Sequence, residues 1–363
     1  MPTWALILLW PLMQTLVDPI ILSTRWDPGE TIKTGLDNLV AAVVCRTLNA
    51  PGGPLIAVDS TGQVAELAFS DGRWEVQRSF STDVQVTAVC VGATRGRGEN
   101  WDLFLGTASG RIIALSRTMV GWSSQDVAVL KGPILSLQTT RAVSEMRASL
   151  FVIDGDSLIT EFVIGFEGKW LSGKLPRIEG GATRVCLHYA KNRLRVSAAG
   201  AAGVVYRIDV DSTGIWRPQP WAHLAAGPID MAPSEDPTSR DIALFYSGTD
   251  GIFRYLFYGR TADDISRLPV ADATYLLIGA GEMRRINEFF AMSGNEFCLF
   301  EFEPGLEEWI EVPIAPIRKP VVSVSFGQGR GERDFQFYVA SVDGTVAEFV
   351  RSSSELPEEE NKE

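Results

Sequence analysis

The stretch PLIAVDSTGQVAELAFSDGRWEVQRSF, residues 54–80, carries the fold in miniature. Two short apolar strings, PLIAVD and QVAELAF, flank a turn at Gly62, and a third begins at Trp74. Strings of this length, rich in β-branched and aromatic residues and broken by short glycine turns, are β-hairpins. Working outward, the same plan returns. Trp26, Trp74, Trp122 and Trp170 stand 48 residues apart, Trp216 follows after 46, and Trp309 comes 93 later. The absent tryptophan of that double interval falls near Ile265. Turns run in step with them: Gly62, Gly110, Asp156, Gly203, Gly251, Gly294 and Gly344. A further apolar string precedes each hairpin, as in VAAVVC and VTAVCV. Four strands in a repeat of about 40–50 residues make a propeller blade.

Seven turns predict an all-β, seven-bladed propeller over residues 20–351. The seventh hairpin ends near Val350, and SSSELPEEENKE after it has no aromatic residue. Trp26 lies one period before Trp74 with no complete repeat ahead of it. The segment around Trp26 is therefore expected to be the outer strand of blade seven, closing the ring and removing an open sheet edge. Residues 352–363 are read as a disordered acidic tail. Residues 1–19 form an apolar N-terminal segment, either buried or a signal or anchor. No Lys or Arg precedes its run from Trp4 to Met13, and Pro11 and Asp18 interrupt it as a membrane span, so membrane association through residues 4–22 stays open.

The chain has 363 residues and a formal net charge of −12, which disfavours broad nucleic-acid binding. Cys45, Cys90, Cys186 and Cys298 form no CxxC pair, and the first three sit in the similar strings AVVCR, TAVCV and TRVCL. They read as buried free thiols in one structural column, which leans toward an intracellular compartment, cytoplasmic or nuclear. The two histidines, His188 and His223, make no HxH or HExxH spacing, so no metal site is expected. No GxSxG nucleophile motif and no GK[ST] phosphate-binding motif is present, and no cofactor is expected. Asp263 with Asp264 and Glu307 with Glu308 would diverge on strands, which leaves an enzyme only a site at the channel mouth.

The turn–Gly–x–h–x–Glu pattern with a tryptophan eight or nine residues later recurs at Glu66/Trp74, Glu161/Trp170 and Glu301/Trp309, and Glu348 would pair with Trp26 across the closure. In this the blades resemble those of tectonin-like and fucose-binding lectins, while the WD40 signature is absent. The resemblance implies a glycan held by Arg, Glu and an aromatic side chain. The lectin arginine, about twelve residues before the glutamate, is replaced here by Pro54, Ser149 and Gln336. The glutamate column itself reads Glu66, Ala114, Glu161, Arg207 and Tyr255 through the first five blades, with Cys298 or Glu301 in the sixth. The other reading of the tryptophans is as packing between blades. Two Gly- and Arg-rich loops, carrying Arg95 and Arg97 in blade two and Arg330 and Arg333 in blade seven, offer an anion grip or solubilising charge. The blade-to-blade drift points to one asymmetric protein partner, hence a non-enzymatic interaction scaffold. A carbohydrate-binding lectin is the alternative, and a propeller enzyme the second.

Overall fold

The computed structural model describes residues 25–45, 53–92, 101–118, 120–139, 149–165, 167–190, 193–223, 228–235, 242–248, 253–257, 266–267, 278–279, 288–293, 296–303, 308–312, 314, 316–317, 319–327, 330 and 336–352. In blades five and six only the Met231 and Leu244 side chains are described. The described strands form seven four-stranded antiparallel sheets, each a blade of a β-propeller. Blade one comprises Leu39–Val44, Leu55–Asp59, Gln63–Ser70 and Arg73–Ser81. Blade two comprises Val86–Gly92, Asp102–Thr107, Arg111–Thr118 and Gly121–Val129. Blade three runs from Ser136–Thr139 to Trp170–Lys174, blade four from Ala182–Ala190 to Trp216–His223, blade five from Pro228–Glu235 to Ser266–Arg267, and blade six from Ile278–Gly279 to Glu308–Val312.

Blade seven takes Val321–Gly327, Gln336–Ser341 and Thr345–Ser352 from the end of the chain and Arg25–Lys33 from its beginning. The pairing runs from Arg25 opposite Ser352 to Lys33 opposite Thr345. The expected closure is thus present. Trp26 is 3% exposed and packs edge-on against Phe337, ring centres 4.8 Å apart.

The hairpin turns explain the glycine column. Gly62, Gly110, Gly203 and Gly344 have φ between +80° and +87°, a region closed to most side chains. In blade three that conformation falls on Ser157 (φ 57°), one residue after the expected Asp156. The turns are also pinned by side chains. Asp59 Oδ1 accepts from the Thr61 and Gln63 amides at 2.9 Å each. Asp154 Oδ1 does the same for Asp156 and Leu158, at 3.0 and 3.1 Å.

The core lies between blades. One buried cluster joins Ile56 and Val58 of blade one to Leu103, Leu105 and Ile113 of blade two. Another joins Phe151 and Ile153 of blade three to Val196 and Ile208 of blade four. Where side chains are described, the sheets are apolar on both faces because each is sandwiched by its neighbours. Burying each such side chain is worth about 1.5–3 kcal/mol, so the ring is stabilised seam by seam.

The thiols are less uniform than their flanking strings. Cys90 pairs with Phe104 and Cys186 with Ser197, equivalent places in blades two and four. In blade one that place belongs to Val43, opposite Ile56, and Cys45 lies two residues further along. Cys45 and Cys186 are buried, Cys90 is half-buried, and none of the three is in a disulfide. Burial pushes the Cys45 thiol well above its ordinary value. The side chain of Cys298 lies outside the described residues, as do residues 1–24, including the apolar run 4–22, and the tail 353–363. Among the described residues no helix is long and apolar enough to cross a membrane.

Candidate functional site

The tryptophan and glutamate columns meet between blades rather than within them. Trp74, Trp122, Trp170 and Trp216 stand at the start of outer strands and reach back to the preceding blade. Trp74 packs edge-on against Tyr338 of blade seven at 5.6 Å. Trp170 packs likewise against Phe104 of blade two at 5.8 Å, and Trp216 against Phe151 of blade three at 6.1 Å. The glutamate column, on the third strand, faces the same seam from the other side.

At the seam between blades one and two, Glu66 is 2% exposed. Its Oε2 accepts the indole N–H of Trp122 at 3.1 Å, and its Oε1 meets Arg117 Nη2 at 2.6 Å. Arg117 is the cross-strand neighbour of Trp122, so one hairpin of blade two supplies both donors. Glu66 and Trp74, paired by sequence, do not bond each other.

At the seam between blades seven and one, Glu348 is 1% exposed. Its Oε1 accepts the Trp74 indole N–H at 3.2 Å and Arg330 Nε at 2.7 Å. Its Oε2 accepts the Glu30 amide at 3.2 Å and also meets Arg330 Nη2. Glu348 therefore bonds Trp74, not Trp26. Phe69 occupies the position that Arg117 holds at the next seam, since Phe69 pairs with Trp74 as Arg117 pairs with Trp122. The guanidinium comes instead from Arg330, which lies 4.6 Å over the Phe69 ring. Its hydrogen bonds to Glu348 raise the guanidinium above its ordinary value. Gly29 on the closing strand makes room for the carboxylate, because a Cβ there would stand 2.5 Å from Glu348 Oε2.

The other seams vary. Between blades two and three, Ala114 stands in the glutamate column and Ile164 in the arginine position, and the Trp170 indole N–H is buried with no hydrogen-bond partner. Between blades three and four, Glu161 accepts from Ser149 Oγ at 2.7 Å. In blade six the backbone pairs Phe302 with Trp309 and Glu301 with Ile310. Glu301 thus sits one residue before the partner of its tryptophan, where Glu66, Glu161 and Glu348 sit three before theirs. The side chains of Glu301 and Trp309 lie outside the described residues, as do Arg95, Arg97 and Arg333. Arg330, expected in an anion-binding loop, is instead held by Glu348.

The two clusters share a chemistry: a buried carboxylate saturated by an indole from the adjoining blade and by a guanidinium, which comes from that blade at Glu66 and from the same blade at Glu348. Sequence reasoning found the glutamates and tryptophans but missed Arg117 and Glu30. Arg117 carried a signal in its place directly opposite Trp122. Among the described residues no group of three or more His, Cys, Asp and Glu side chains is placed to hold a metal ion.

No family model matches the chain, and no curated protein is similar to it. Solved structures are similar in fold. A crystal structure of BBS1N in complex with ARL6DN, soaked with mercury, is similar with a TM-score of 0.67 and 11% identity, covering 91% of this chain and 98% of that one. The same complex soaked with lead gives 0.68 and 12% over the same shares. The likeness extends over nearly the whole ring. At this identity it speaks for fold, and a propeller fold by itself hosts many functions.

Proposed function

We propose that this chain is a non-enzymatic binding propeller that holds another protein, as a scaffold or complex subunit. The observation that carries the reading is that BBS1N, alike in fold over 98% of its length, was solved in complex with a protein, ARL6DN. The seams support it. Their clusters differ from blade to blade, which suits one asymmetric partner better than seven copies of a small ligand. Rings of rigid blades present many loops whose residues vary without disturbing the core. Cys45, Cys90 and Cys186, none of them in a disulfide, support an intracellular setting, and a reporter fused to residues 1–22 tests it.

The test is affinity capture from source extract with the purified chain, followed by size-exclusion chromatography of the reconstituted pair. A stoichiometric protein complex is expected. The half-buried indoles of Trp74 and Trp170 favour the carbohydrate reading as a second possibility, with a glycan array as its test. Saturation of Glu66 and Glu348 by neighbouring donors weighs against it. A glycan signal abolished by Trp74→Ala, with no captured protein, would replace the first reading by the second.

A further inference from the structure

The outer strands of blades one and two border an open groove of about 530 Å3 whose lining combines Arg78, Phe80, Arg111, Trp122 and Ser124. No carboxylate lines it. The Arg78 side chain is exposed and forms no hydrogen bond or ion pair among the described residues, while Arg111 uses its Nε on Asp126 at 2.7 Å. A bulge places Arg78 here: Leu67 pairs with Val76 and Glu66 with Arg78, which leaves Gln77 as the extra residue. Bulges re-aim the side chains beside them. In the same lining, the Phe80 and Trp122 rings lie 5.6 Å apart. Val120 next to Gly121 and Val129 opposite Arg111 are 96% and 71% exposed, at the two ends of the bordering strand.

Consecutive residues 78 to 82 line the groove, so its wall is the edge of a strand rather than one face of it. That strand is the last of its sheet. An unpaired edge offers main-chain groups to an added extended segment. The cations select its charge, and the rings accept an apolar side chain. The net charge of −12 does not oppose this locally, because fields from distant exposed charges are screened over about 8 Å at physiological salt.

We propose that this groove receives an extended acidic peptide of a partner protein, with carboxylates set against Arg78 and Arg111 and an apolar side chain on Phe80 and Trp122. The proposal rests on the protein-binding reading and gives it a location. The probe is a fluorescein-labelled dodecapeptide alternating Glu and Val, with a Lys-for-Glu counterpart, titrated against the full chain by fluorescence anisotropy. The acidic peptide should bind, weaken with added salt, and lose at least tenfold in affinity with Arg78→Glu. Arg78→Lys should stay within about threefold, and the lysine peptide should not bind. Because Arg78 is exposed and unpartnered among the described residues, the variants should melt with the wild type. Equal binding of both peptides, no binding of the acidic one, or an affinity unchanged in Arg78→Glu overturns the proposal. If the partner captured from extract is retained undiminished by the Arg78→Glu chain, the groove assignment falls while the protein-binding reading stands.

Discussion

Glu66 and Arg117 form an ion pair whose halves live in different media. Glu66 is 2% exposed and the Arg117 side chain 46%. Removing either half therefore has unequal consequences. Arg117→Met strands a buried carboxylate whose remaining donor is the Trp122 indole, a loss of about 3 kcal/mol by the cost of breaking one side of a buried pair. Glu66→Gln leaves a guanidinium that water can solvate and a neutral oxygen that the indole can still reach, about 1–1.5 kcal/mol as for an ordinary hydrogen bond. Denaturant melts of the two single variants and the double variant check this order. The double should lose about 1–2 kcal/mol less than the sum of the singles, as contacting residues do. Additive losses, or a costlier Glu66→Gln, would show that the carboxylate is not held by Arg117. The same residues mark the limit of sequence reading. Trp122 bonds a glutamate 56 positions away and Trp74 one 274 positions away. The sequence pattern pairs Glu66 with the tryptophan that follows it in its own blade, Trp74, and Glu348 with Trp26 across the closure, so it named the wrong partners. The ring supplies the right ones, and nothing local in the string records them.

Turns are where element and sequence agree most closely, because the requirement is local. Gly344, at φ +82°, would bring a Cβ within 1.7 Å of the Leu36 carbonyl oxygen, so no other residue fits. The first-to-third strand order of every blade followed from such positions together with alternating apolar strings. The bulges at Gln77 and between Ile112 and Ile113 did not, since an extra residue in an edge strand changes no composition. In the seventh turn Asp343 accepts Thr345 Oγ1 at 2.6 Å and meets Lys319 Nζ at 2.5 Å. The hydrogen bonds from Lys319 and Thr345 lower its pKa to about 2. A carboxyl whose folded pKa lies below its unfolded value of about 3.9 stabilises the fold above that value and loses the contribution as pH falls through the folded one. Wild type should therefore melt above Asp343→Asn at neutral pH, and the gap should close between about pH 4 and pH 2. A thermal-melt series across that range measures it. A gap that persists undiminished at pH 2 would mean the turn is held without the ionised carboxylate. The side chain is exposed, so the gap is expected to be small and to narrow in high salt.

At the scale of the ring, a single short strand unites the two ends of the chain. Arg25–Lys33 pairs with Thr345–Ser352, buries Trp26 and Ile32, and carries Glu30, whose amide bonds Glu348 while its carboxylate accepts the Trp74 amide at 3.1 Å. The closing strand is thereby tied to blade seven through the sheet and to blade one through Glu30. Thr34 extends the tie, its amide and hydroxyl both donating to the Gly344 carbonyl at 3.1 and 2.8 Å. The pairing of the closing strand with blade seven joins residues more than 300 positions apart, so its loss is not compensated locally. Trp26→Ala removes a fully packed indole, a cost of about 3–5 kcal/mol that corresponds to a fall of roughly 4–7 °C in melting temperature for a chain of this length. A chain beginning at residue 34 goes further. It bares Thr345–Ser352 as an edge strand and exposes the carboxylate of Glu348 together with the Phe337 and Phe349 rings that stack 4.5 Å apart beneath Trp26. Such an edge pairs with copies of itself. The truncated chain should elute as oligomers in size-exclusion chromatography, and a synthetic peptide of residues 25–33 added during refolding should return monomer and raise the melting temperature. A truncated chain that stays monomeric and melts with the wild type would show that the ring closes without this strand.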